Sequence, residues 1–195
     1  MSDQKRPYRM KRRAELEELT RRRITESAVA LHQELGPAQT SISAIADRAG
    51  VRRSTVYRHF PDEDTLFDAC SSHWRALNPP PDLSQWSAAT TETALRELYV
   101  FYGRTHRMYE SLFRDETLVA TVARRLRDFY GYLDAARDAL MAGRGLRGSA
   151  ARRTRAAIGH ALAFTTWRSL IQEQGLTDED AVSLMLQLIE NASRR

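Results

Sequence analysis

Between Arg52 and His59 the sequence gathers Arg52, Arg53, Ser54, Thr55, Tyr57, Arg58 and His59: cations, hydroxyls, a phenol and an imidazole in one short run. Arginine reaches phosphate oxygens or grips guanine O6 and N7 with two donors, and hydroxyl and phenol groups bond phosphate oxygens. A set of this kind holds a polyanion and reads base edges; it contains no nucleophile paired with a base. Arg52 is the sharpest of them. It stands where serine or aspartate would best satisfy the free N–H groups of a helix start, and a cation there opposes the helix dipole. A nearby phosphate or base edge reverses that cost. For Arg52 and Arg53 taken alone, a merely solvated pair remains an alternative.

The surrounding residues give this run a scaffold. Ser41 can cap a short helix through Arg48, Gly50 is free to take the left-handed turn, and a second short helix covers Arg52 to His59. Ile42, Ile45, Ala46, Ala49, Val51, Val56 and Phe60 form the inward set, with the small alanines allowing steep, close packing. This is the outline of a helix-turn-helix. Ser41 completes the candidate DNA-contacting residues. Upstream, Leu16, Leu19, Ile24, Ala28, Leu31 and Leu35 recur at helical spacing over about 15–35, and Gly36-Pro37 ends the run. Residues 1–14 are expected to be a mobile basic tail. Asp62 caps a fourth helix to about Leu77, where Asn78-Pro-Pro-Pro81 must stop it. Further helices are expected near 88–107, 109–114, 117–142, 150–173 and 178–191, and no stretch alternates as a strand. The expected fold is all-α: the tail, a three-helix helix-turn-helix domain over 15–61, and a helical remainder over 62–195.

The chain has 195 residues and a formal charge of +5, with 13 Lys and Arg against 7 Asp and Glu in residues 1–60 and 17 against 18 beyond. The basic excess belongs to the amino-terminal third, as a polyanion partner requires. Cys70 is the single cysteine, so neither an intrachain disulfide nor a cysteine metal cluster can form. Cys70 with His73 supplies too few ligands for a closed zinc site. Gly143-Arg-Gly145-Leu-Arg-Gly148 has the letters of a dinucleotide motif but follows a helical pattern, and reads as an interhelix turn. No catalytic residue, metal site or cofactor is expected. The longest apolar window is too short and polar to cross a bilayer, and no signal segment stands at the start, so a cytoplasmic location is expected.

Ala44-Ile45-Ala46-Asp-Arg-Ala49-Gly50-Val51, followed by Thr55-Val56-Tyr57-Arg-His59-Phe60 and Leu66, resembles the amino-terminal domain of the TetR family of transcriptional regulators. The resemblance is strong over about residues 20–67, and length and helical layout extend it. It implies that Thr55 and Tyr57 set the recognition helix on the DNA backbone, while positions 53 and 54 and the side chains around 57 and 58 face the major groove. Two departures matter: the family commonly has serine where this chain has Arg52, and lysine, often on phosphate, where it has Glu63. Arginines 21–23 could meet backbone or be solvated.

For the remainder, the resemblance implies a dimer formed by the last two helical segments and a pocket for a small-molecule effector in the middle ones. Apolar residues from Ala157 to Ile171 and from Ala181 to Ile189 supply surface for the first. Tyr99, Tyr102, His106, Phe113, Tyr130, His160, Phe164 and Trp167 are the candidate ligand-lining residues, each also readable as ordinary core. Trp86 could edge that pocket or anchor its loop. The expected function is a homodimeric repressor released from double-stranded operator DNA by its effector, with a helical enzyme or carrier bearing a vestigial reader as the alternative.

Overall fold

The computed structural model describes residues 5–194, and side chains from residue 10. Among the described residues there is no strand. The α-helices are α1 (Lys5–Glu34), α2 (Ile42–Arg48), α3 (Arg53–His59), α4 (Glu63–Leu77), α5 (Thr91–Asp115), α6 (Ala120–Met141), α7 (Gly148–Leu162), α8 (Phe164–Arg168) and α9 (Asp178–Ser193), with a π-turn over Ser169–Glu173. They divide into two units. The first runs through Leu77 and includes Arg107–Ala123; the second comprises Asn78–His106 and the residues from Arg124 onward. α5 and α6 therefore each contribute to both, and the first unit reaches past the boundary expected at 61.

α1 begins inside the segment expected to be a tail. Residues 5–14 are helical because lysine, arginine, methionine and alanine are good helix formers, and Arg13 pairs with Glu17 one turn on at 3.1 Å. Residues 1–4 of that expected tail lie outside the described residues. Leu16 and Leu19, which fit the helical period, remain more than half exposed, so the buried stripe starts at Ile24 and continues through Ala28 and Leu31. These side chains meet Ile42, Ile45, Ala46 and Ala49 of α2 and its end, Val56 of α3 and Phe60 just after it, and Leu66 and Cys70 of α4 in one core. Burial pushes the Cys70 thiol up to about 12.

Tight connections hold that core in register. The Ser41 hydroxyl accepts the Ala44 N–H at 3.1 Å, Asp62 accepts the Thr65 N–H at 2.6 Å, and α4 ends at Leu77 before the prolines. Between α1 and α2, Gly36 has φ +89°, and a Cβ there would strike Arg114 and Asp115. Arg114 donates to the Leu35 carbonyl at 2.7 Å, while Asp115, 1% exposed, accepts the Ala38 N–H at 2.9 Å. The Thr121 hydroxyl donates to Asp64 at the start of α4.

In the second unit α7 packs along α9. Two helices expected over 88–107 and 109–114 are one, because no glycine or proline interrupts 104–115. The helix expected over 150–173 is instead broken at Ala163, whose ψ is 134°. The break leaves carbonyls at the end of α7 without helical donors. Two tyrosines of α5 supply them: Tyr99 donates to Ala161 O at 3.1 Å and Tyr102 to Leu162 O at 2.6 Å, both phenols fully buried. Trp86 anchors its loop by donating to Glu97 at 2.9 Å. Tyr102→Phe leaves a buried carbonyl without a donor and is expected to lower unfolding free energy by about 1–3 kcal/mol. Urea titration checks this against Tyr132→Phe, whose phenol bonds the more accessible Pro81 carbonyl. A smaller loss is expected for that control.

Candidate nucleic-acid interface

Gly50, with φ +62°, lets the chain leave α2 and return: its N–H bonds the Asp47 carbonyl at 3.1 Å, and the Val51 N–H bonds the Ala46 carbonyl at 2.9 Å. These bonds satisfy carbonyls that the end of α2 leaves over, as a left-handed glycine cap does. They also aim α3. Val56 and Phe60 point inward at 0% and 1% exposure, whereas Arg52, Arg53, Ser54, Tyr57 and Arg58 are exposed and Thr55 is half-buried. Of the outward set expected from the sequence, Arg53, Ser54, Tyr57 and Arg58 lie on the exposed side of the seven-residue α3, Arg52 stands before its first turn, and Thr55 and His59 are half-buried. Ser41 is exposed too, with its hydroxyl already engaged as the α2 cap.

Arg52 occupies the position before the first turn of α3 in extended conformation and makes no side-chain cap. No acidic residue stands in that first turn. α4 contrasts with this: Asp62 caps it, and Glu63 and Asp64 open it. Glu63 is exposed at a helix start, where its negative charge is favoured. His59 is half-buried, with its Nε2 shielded from solvent and without a hydrogen-bond partner. Burial, then Arg58 and Arg21, hold its imidazole below the usual value, against the pull of Glu17 and Glu18. With Thr55 it is one of the two half-buried members of the expected set.

Sequence reasoning left Arg21 among surface arginines. In the structure it is half-buried, donates to the His59 carbonyl at 2.8 Å and lies 4.3 Å over the Phe60 ring. Arg22 and Arg23 are exposed. Arg48 pairs with Glu34 through two hydrogen bonds of 2.6 and 2.8 Å, joining α2 to the end of α1.

The expected ligand-lining residues separate. Tyr102, Phe164 and Trp167 pack together, with ring centroids 5.3 to 5.9 Å apart, and His106 lies 6.0 Å from Trp167. Tyr99 is beside Tyr102. His160 is exposed, with Nδ1 3.3 Å from the Thr166 hydroxyl, and Tyr130 is 39% exposed. Phe113 belongs to the first unit and packs on Tyr109. Among the described residues no group of three or more metal-ligating side chains occurs, and no helix is long and apolar enough to cross a membrane.

Beneath the reader, His32 of α1 packs on Phe67 at 5.4 Å and lines a pocket of about 100 Å³ with Ile42, Ile45 and Leu66. Burial pushes its imidazole down to about 4, against the raising effect of Asp115. The folded state then resists a proton that the unfolded chain accepts near 6.5, so this residue's contribution is complete above that pH and falls as pH drops toward 4. The loss is at most about 3 kcal/mol. Urea unfolding at pH 7 and pH 4.5 is expected to show a larger acid destabilisation in the wild type than in His32→Gln.

Residues 24–70 match the family described as bacterial regulatory proteins, tetR family. No curated protein sequence matches the chain. Among solved structures, the fold is shared with a TetR-like transcriptional regulator from Rhodococcus sp. RHA1, at 18% identity and TM-score 0.62, covering 88% of this chain and 94% of that one. A putative fatty acid metabolism regulator from Clostridium perfringens aligns at 13% identity and TM-score 0.61, covering 86% and 97%. The multidrug binding protein EbrR, complexed with imidazole, aligns at 22% identity and TM-score 0.56, covering 87% and 89%. Over residues 24–70 the chain thus carries the amino-terminal domain of the tetR family of bacterial regulatory proteins.

Proposed function

We propose that this protein is a homodimeric transcriptional repressor that reads operator DNA with α3 and leaves it when a small molecule binds. The observation that carries the reading is that Val56 of α3 and Phe60 just after it form a buried anchor while Arg53, Ser54, Tyr57 and Arg58 form an exposed face. That face suits groove recognition, with the hydroxyls of Thr55 and Tyr57 assigned in this reading to the DNA backbone beside it. Arg52, uncapped at the helix start, gains a partner if a phosphate or base edge lies there.

The effector reading draws on the second unit. Trp167 is 3% exposed, and its indole N–H has no hydrogen-bond partner among the described residues. His106 sits beside it with Nδ1 2.9 Å from the Gly103 carbonyl, so the neutral ring donates there and keeps Nε2 as an acceptor. A donor and an acceptor among aromatic faces suit a small, largely apolar effector with one or two polar groups. EbrR, of the same fold, is a multidrug binding protein complexed with imidazole. For the dimer, α9 buries Ala181, Met185 and Ile189 while Leu184 and Leu188, one turn apart, stay 43% and 39% exposed. A two-fold interface needs such a face to pack on its own copy.

Selection of duplex fragments by the purified protein is expected to enrich one sequence well above random DNA. With that fragment, Arg53→Ala is expected to lose about 1–3 kcal/mol and discrimination at one base position, and Tyr57→Phe to weaken all duplexes alike. Failure to enrich any sequence overturns the specific reader. Release of the enriched fragment by members of a panel of small aromatic compounds, blunted in Trp167→Phe, tests the effector reading.

Sedimentation at micromolar concentration is expected to give a dimer of the 22.3 kDa chain. Leu184→Glu with Leu188→Glu is expected to shift it toward monomer. A wild-type monomer overturns the dimer.

A further inference from the structure

A seven-residue helix has three places to be held: its start, its middle and its end. The start of α3 is fixed by the Gly50 turn and the middle by Val56. At the end, the last carbonyls have no later helical N–H to accept from. Arg21 meets this end in two ways, with Nη1 2.8 Å from the His59 carbonyl and the guanidinium carbon 4.3 Å over the ring of Phe60. Arg21 stands on α1 just before Ile24 and Ala28, which are wholly buried against the core, so it reaches α3 from a fixed base. A cation at a helix end is favoured by the dipole, and a planar guanidinium can bond a carbonyl edge-on while covering a ring with its face.

We infer that Arg21 is the positioning residue of the recognition helix: it ties the carboxy-terminal end of α3 to α1 and so sets the angle at which Arg53, Ser54 and Tyr57 meet a groove. It acts through His59 and Phe60, without touching DNA itself. The inference rests on the reading of α3 as the DNA-contacting helix. Half-burial and an engaged ring face distinguish Arg21 from Arg22 and Arg23, which are exposed and free to meet phosphate. Lysine would keep the charge but lose the planar cover, so Arg21→Lys is expected to fall between wild type and Arg21→Ala.

Two measurements on the full chain test this, both at a temperature where circular dichroism shows each variant folded. In the first, wild type, Arg21→Ala, Arg21→Lys and Arg23→Ala bind the fragment enriched by the wild type and a scrambled duplex across a salt series. For Arg21→Ala, affinity for the enriched fragment is expected to drop about tenfold. Affinity for the scrambled duplex and the slope of log K on log salt are expected to stay near wild type. A slope shallower by about one, with both duplexes weakened alike, makes Arg21 a phosphate contact and overturns the inference. Binding like wild type also overturns it. In the second, amide exchange of the free protein is expected to accelerate at Tyr57–Phe60 in Arg21→Ala while Ile45 and Ala46 keep their protection. Equal protection at Tyr57–Phe60 overturns the clamp. If the wild type enriches no DNA, the DNA-reading assignment fails, and the exchange result still decides whether Arg21 holds α3.

Discussion

A helix of seven residues does not hold its shape in water, because nucleation costs more than so few hydrogen bonds return. The geometry of the exposed side of α3 depends on making that helix rigid from outside. Fixing its backbone costs about 1–2 kcal/mol per residue, whereas burying Val56 and Phe60 returns about 1.5–3 kcal/mol each. The deficit is made up only because α1, α2 and α4 share one core with those two side chains. The exposed side of α3 is therefore a property of four helices. Spending only two positions of α3 on the core leaves Arg53, Ser54, Tyr57 and Arg58 outward.

What was legible in the sequence was local. Ser41 and Asp62 cap the helices they were expected to cap, Gly50 makes the turn, and the prolines after Leu77 stop α4, because each is a constraint on a few neighbouring backbone groups. What was hidden depends on distant partners. Arg21 meets His59 across 38 positions and Asp115 meets Ala38 across 77, and neither residue type announces its partner. Leu16 and Leu19 kept the helical period yet stay exposed, since period shows which side chains share a face and says nothing of what lies opposite. The break at Ala163 has no glycine or proline to mark it. Its determinants are tyrosine hydroxyls 60 and 62 positions upstream.

Helix-end electrostatics separate α3 from its neighbours. α9 begins with Thr177 as cap and Asp178, Glu179 and Asp180 in its first turn, and α4 follows the same rule. α3 forgoes both devices and starts with Arg52 and Arg53. A missing cap costs about 1 kcal/mol, and a cation at that end adds about 0.3–1 kcal/mol. α7, which follows Arg147 with neither a side-chain cap nor an acidic first turn, departs in the same way. At α3 the departure falls on an exposed side, where a phosphate or a base edge would offset the cost. Glu63 follows the rule that α3 breaks: its negative charge favours the start of α4.

The second unit solves a different problem, an interrupted helix inside an apolar interior. A break exposes carbonyls that cannot reach water, and leaving a buried one unpaired costs about 1–3 kcal/mol. Tyr99 and Tyr102 settle that account with their hydroxyls, so two residues that looked like polar fixtures of a ligand site are committed to the backbone. Their rings still line the aromatic cluster, while each phenol's proton is committed to the backbone. Trp167 lies between the break and the π-turn, where the helix leaves its regular register before and after it. Irregular turns of this kind recur at functional sites because they re-aim side chains without ending the element. Here the element they bracket carries the indole donor whose N–H the surrounding protein leaves unpaired.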